Sequence, residues 1–172
     1  MWAARVDEGY VFGDLTPATI ETLKGVPMLI ESSDRRVRER LLPKTCTEEE
    51  DEAHWREHAV PELERLFASR AQLVRRDLEQ LRKIPDTVNY VLLISDEHTN
   101  AWIAALNAAR LALYVLNDMT AEHMEEDGFL KATPKQQEAA LRINLLAEIQ
   151  AVMLGEYELD DDGGSFEDFV MG

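Results

Sequence analysis

A chain of 172 residues is long enough to bury a sizeable core as one domain, with a short tail left over. Its 18 Lys and Arg against 34 Asp and Glu give a formal charge of −16, so phosphate backbones and anionic lipid are disfavoured as direct partners. The excess is concentrated late, with net −4 through Asp86 (14 basic, 18 acidic) and −12 after it (4 basic, 16 acidic).

Cys46 is the only cysteine, which rules out an intrachain disulfide and fits a reducing cytoplasm. MWAARVDEGY offers no apolar run of signal-peptide length. The apolar stretch 101–116 falls short of the ~20 residues that cross a bilayer and carries Arg110.

Two short strands are predicted over residues 2–15 around the turn Asp7-Glu8-Gly9. Thr16-Pro17 then starts a helix, as N-cap and first helical residue. Gly25 is expected to end it, with Pro27 against continuation. Ser33 opens a second short helix closed by Pro43. Thr47 and Glu50 have capping-box spacing, which predicts a helix from about Glu48 that Pro61 either kinks or splits. Beyond it, Leu63, Leu66, Phe67, Val74, Leu78 and Leu81 mark the buried face of a long helix ending near Lys83.

Val88–Ile94 is β-branched and too short for a typical helix, so it reads as a strand pairing with the hairpin. Ser95 caps the next helix, with Asp96 and Glu97 at its positive end. Trp102, Leu106, Ala109, Leu113 and Leu116 form one face of it. Ile103, Leu111 and Val115 lie off that face, so this helix (about 96–117) has neighbours on several sides.

Residues 118–132 read as an acidic helix or loop with a turn at Asp127-Gly128. Thr133-Pro134 with Gln136 starts the last helix, whose core stripe is Leu141, Leu145, Ile149, Val152 and Met153, with Ile143 and Leu146 to the side. The fold class is therefore mainly α: a helical bundle around one central helix, with a small N-terminal hairpin and one further strand. It forms a single domain over 1–158 with an acidic tail at 159–172.

His54-Trp55-Arg56-Glu57-His58 fits H-x-x-E-H, which would put two imidazoles on one helix face for zinc with Glu57 beside them. A third carboxylate would have to come from Glu125 or Glu126, and an ordinary exposed helix face accounts for the pattern as well. Asn107 and Arg110 interrupt the most apolar helix. There Arg110 either clamps a carboxylate or phosphate beside Trp102 or pairs with an internal acid. Glu158, Asp160, Asp162 and Gly163 copy half a calcium loop, but Phe169 stands where its last ligand belongs.

Arg35, Arg36, Arg38 and Arg40 have no interleaved aromatics and include Asp34 and Glu39, so they read as a solvated face. Cys46 beside Lys44 reads as a quiet thiol rather than a redox switch. Phe166, Phe169 and Val170 among acids read as a disordered tail, with a docking peptide as the alternative.

Trp102–Leu111, WIAALNAARL, resembles the W-x-x-A-L-N-x-x-R-L signature of an uncharacterised bacterial domain family whose genes often lie beside that of the Clp-protease adaptor. Arg40-Leu41-Leu42-Pro43 and the final helix ending INLLAEIQAVML are similar to other parts of that family. The resemblance implies a mainly helical cytoplasmic protein without established enzymatic activity. Actinobacterial relatives are described as oxidative-stress transcription regulators. One cysteine and a charge of −16 fit that role poorly if it requires a disulfide switch or direct DNA contact.

The leading expectation is a non-catalytic interaction or regulatory protein that contacts a basic protein partner through the Asn107/Arg110 region and the acidic C-terminal half, with no cofactor required and a homodimer compatible with the sequence. The alternatives are a metal-dependent hydrolase using His54, Glu57 and His58, and a DNA-binding regulator.

Overall fold

The computed structural model describes residues 1–157 and residue 159. The acidic tail beyond, with its calcium-loop likeness and its phenylalanines, lies outside the described residues.

The N-terminal hairpin forms as its alternation predicts. Strands β1 (Trp2–Val6) and β2 (Gly9–Leu15) pair antiparallel, and β4 (Tyr90–Ser95) adds to the other side of β2. A two-residue strand β3 (Arg82–Lys83) pairs antiparallel with β4, giving the order β1-β2-β4-β3. Because side chains alternate along a strand, Phe12, Leu92 and Ile94 face the helices, while Val6, Val11 and Val91 form a small cluster on the other face. A bulge with Asp14 at φ 54° resets the register so that Leu15 also joins the core.

Six helices follow in the described residues: α1 (Pro17–Ile30), α2 (Arg35–Leu41), α3 (Glu49–Glu79), α4 (Asp96–Leu116), α5 (Glu126–Lys131) and α6 (Pro134–Met153). The protein is mainly α. Helix α4 is the central element, packed against α1, α2, α3 and α6. Trp102, Leu106, Ala109 and Leu113 of the expected face are buried, and Ile103, Leu111 and Val115 are half-buried around it.

The head of α4 is held by the hairpin rather than by its cap side chain. Ser95 makes no side-chain cap bond. Instead the Asp96 N–H donates to the Glu8 carbonyl at 3.0 Å, and Arg5 forks the Asp96 carboxylate at 2.8 and 2.9 Å. That ion pair lowers the pKa of Asp96 from its ordinary value, chiefly through the hydrogen bond from Arg5. The close approach explains Gly9, since a Cβ there would lie 2.2 Å from the Ile94 carbonyl oxygen.

Several expectations need correction. Helix α1 passes Gly25 and contains Pro27, ending only at Ile30. Pro27 lies in the last turn with its ring buried, so one missing N–H is offset by packing, and the Glu31 N–H still reaches the Pro27 carbonyl at 3.1 Å. Asp34 caps α2 in place of Ser33, its carboxylate accepting from the Arg36 N–H at 2.8 Å.

Helix α3 runs unbroken through Pro61, and the Thr47–Glu50 box does not form: Glu48 is the N-cap and makes no side-chain cap bond. Within α3 the expected stripe is buried at Val74 and Leu78, while Leu66 is exposed. The helix stops at Glu79, so Arg82 and Lys83 are free to become β3.

Gly128 is buried inside α5 rather than in a turn, because a Cβ there would lie 1.9 Å from the Glu122 carbonyl oxygen of the preceding 3-10 turn, Glu122–Met124. The capping box of Thr133 and Gln136 does form. The buried face of α6, however, is Ala139, Ala140, Ile143, Leu146, Ile149, Val152 and Met153. Leu141 is exposed and Leu145 half-buried, because α4 lies against the neighbouring face of the helix.

Candidate functional site

A polar cluster around one buried carboxylate joins α3 to α4. Asp77 is 6% exposed and accepts the indole N–H of the fully buried Trp102 at 2.7 Å. His98 Nδ1 lies 3.0 Å from both of its carboxylate oxygens. His98 and Trp102 stand four apart on α4, one turn above each other, and Asp77 falls in the Val74–Leu78 register of α3. An imidazole held by a buried carboxylate has the orientation of a general base. Yet His98 lines none of the four grooves described in this molecule. The cluster therefore reads as an inter-helix tie, and it places Trp102 in the core rather than at a ligand.

Sequence reasoning missed Asp77 and His98. The available signal was one acid in the apolar register of α3 and two ring N–H donors at helical spacing on α4.

Arg110 is half-buried and meets a neutral partner, donating to Gln150 Oε1 of α6 at 2.6 Å; among the described residues the expected internal acid is absent. Its Nε is buried without a hydrogen bond among the described residues. The Gln150 amide continues to the Ile103 carbonyl at 3.4 Å, and a groove of about 480 Å³ beside Arg110 is lined by Asn144, Tyr157, Glu148 and Glu156. The two glutamates oppose an anion there. Asn107 is exposed on α4 and is not brought into this groove.

His54 and His58 do share a helix face, with ring centroids 4.4 Å apart. Glu57 approaches His58 at 3.9 Å, and both side chains are well exposed. Among the described residues no group of three His, Cys, Asp or Glu side chains converges, and Glu125 and Glu126 stand on a different part of the fold. A catalytic zinc needs three protein ligands, and this face offers two.

The Arg35–Arg40 segment is largely engaged with acids. Arg35 pairs with Glu39 at 2.6 Å, Arg36 with Asp34 at 3.0 Å, and Arg38 with Glu64. The Arg36 guanidinium holds the Asp34 carboxyl below its usual range.

Cys46 is half-buried in the loop before α3, and its N–H donates to Glu52 Oε2 at 2.9 Å. Glu52 also accepts from the Thr45 N–H at 3.0 Å and pairs with Arg56 at 2.7 Å. These partners, the Cys46 N–H first, lower its pKa.

The family model for a domain of unknown function (DUF2017) matches residues 10–162. The chain belongs to that family. No curated protein and no solved structure matches it. In this DUF2017 chain the match takes in Trp102–Leu111, Arg40–Pro43 and the whole of α6, and leaves β1 outside. No described helix is long and apolar enough to cross a membrane.

Charge is distributed unevenly over the DUF2017 fold. Five acids of the first half are engaged, Glu31 with Arg75, Asp34 with Arg36, Glu52 with Arg56, Glu62 with Arg65 and Glu64 with Arg38, while Glu48, Glu49, Glu50 and Asp51 at the head of α3 are exposed and make no ion pair among the described residues. Glu122, Glu125, Glu126 and Asp127, on the 3-10 turn and α5, are exposed and make no ion pair among the described residues.

Proposed function

We propose that this protein is a non-catalytic interaction module of the cytoplasm whose working face is the acidic surface at Glu122–Asp127, and that its partner is a basic protein. The observation that carries this reading is four exposed carboxylates, unpaired among the described residues, in a stretch, residues 111–130, that holds no Lys or Arg. This face keeps its charge for solvent or for a partner. Such a field steers and orients a cationic surface, with a strength that salt reduces. Regulation would then act through protein contact rather than through DNA.

The test is affinity capture from the native cytoplasm with two baits: the natural chain, and one carrying Glu122→Gln, Glu125→Gln, Glu126→Gln and Asp127→Asn. A specific basic protein should be retained by the natural bait near physiological salt, then lost with the neutralised bait and at ~0.5 M salt, where the Debye length is shorter. Recovery of no specific protein, or equal recovery on both baits, would sink the proposal.

A further inference from the structure

We infer that the groove between α1 and α6 is the seat of a second copy of this chain, giving a symmetric dimer. This inference is independent of the acidic face. The groove measures about 780 Å³. Its apolar part includes half-buried Leu29 and Leu145, with Met28 and Leu141 at 72% and 61% exposure. Met28 and Leu141 thus stand open on either side of one groove, where a partner can cover them together.

Four charges line the same groove: Glu21 and Lys24 on α1, Glu138 and Arg142 on α6. None of them takes part in an ion pair among the described residues, unlike Glu39, Glu52, Glu62 and Glu64. Arg142 lies across the groove above Gly25, where a Cβ would stand 3.0 Å from its Nη2. Glycine at that point leaves the guanidinium room against α1.

The occupant follows from the charges. At −16, most faces of the molecule repel a copy of itself. This rim carries two acids and two bases and is locally neutral. A two-fold contact brings one patch against itself, so each acid can face a base of the mate while Met28 and Leu141 are covered. A uniformly basic or acidic partner would set like charge against half of the rim.

Sedimentation equilibrium of the intact chain from ~1 to ~200 µM at ~0.15 M salt reads the result directly. The mass should rise from 19.6 kDa toward twice that value. Leu141→Glu, on an exposed position, should weaken association by ~30-fold or more, as for a central anchor. Two charge variants sharpen the test. Glu21→Lys with Glu138→Lys, and Lys24→Glu with Arg142→Glu, should each stay monomeric alone and associate when mixed.

The Met28 methyl resonance should move with concentration over the same range. A natural chain that stays monomeric throughout, or a dimer indifferent to Leu141→Glu, would overturn the inference. So would a Met28 methyl shielded from solvent at every concentration, since a segment of the same chain would then fill the groove.

Discussion

Trp102 owes its position to two things that can be separated by mutation: a fully buried ring and one hydrogen bond to Asp77. Trp102→Ala removes both and should cost about 3–5 kcal/mol in urea denaturation, as for buried aromatics generally. Trp102→Phe keeps most of the ring and strips one donor from a buried carboxylate, so about 1–3 kcal/mol is expected. Equal losses for the two variants would mean that the hydrogen bond carries the whole effect.

Arg110→Ala should cost about 1–2 kcal/mol, because its only described partner is a neutral amide and the group is half-buried. A loss of 3 kcal/mol or more would point to a desolvated ion pair instead. The sequence made Arg110 conspicuous as a charge in an apolar helix, but its partner lies forty positions away on α6. Asp77 was inconspicuous among the many charges of α3, and only the approach of α4 makes it a buried acid.

Among the elements, those decided by local chemistry were legible in the sequence. Thr16-Pro17 and the Thr133–Gln136 box start helices because cap side chains satisfy nearby N–H groups whatever the rest of the chain does. The β-branched run before Ser95 is a strand for the same kind of reason. Elements decided by packing were not legible. Pro27 and Pro61 look like helix ends, yet both are absorbed by continuous helices, and Leu141 looks like core until α4 takes the neighbouring face of α6.

Gly128 is the sharpest element-scale case. Gly128→Ala should push α5 off the preceding turn and lower the melting temperature by several degrees, through a clash with backbone; Gly155→Ala has open space around its Cβ and should lose only what backbone strain at φ 73° costs. At the start of α3, the lowered pKa of Glu52 means that its stabilising contribution is present above the unfolded value of 4.5 and is lost as pH falls through the folded value. Glu52→Gln should therefore melt below the natural chain at neutral pH, and the gap should close in acid. A gap independent of pH would assign the effect to shape rather than charge.

For the whole molecule, charge sets the conditions under which it is most stable. An excess of acid favours expansion through self-repulsion, and salt opposes that expansion. Raising ionic strength from ~0.01 to ~0.15 M should raise the melting temperature of the natural chain. The rise should be smaller for the variant neutralised at Glu122, Glu125, Glu126 and Asp127. An equal rise in both would mean that repulsion is spread evenly over the surface.

The 31 residues of α3 make a rod of about 46 Å. Only its far end is clamped: between Glu49 and Arg70 the sole buried side chain is Glu52, whereas Ala71, Val74, Asp77 and Leu78 are all buried. The near two-thirds therefore relies on its own surface pairs, such as Glu52–Arg56 and Glu62–Arg65, and on Arg38 reaching Glu64. Amide protons along one unbroken helix should then exchange with deuterium in two classes. Those before Arg70 are lost through local fraying, and those around Val74–Leu78 are lost only when the core opens. One helix would thus report both the weakest and the strongest opening events of the fold, with the boundary one turn before Val74.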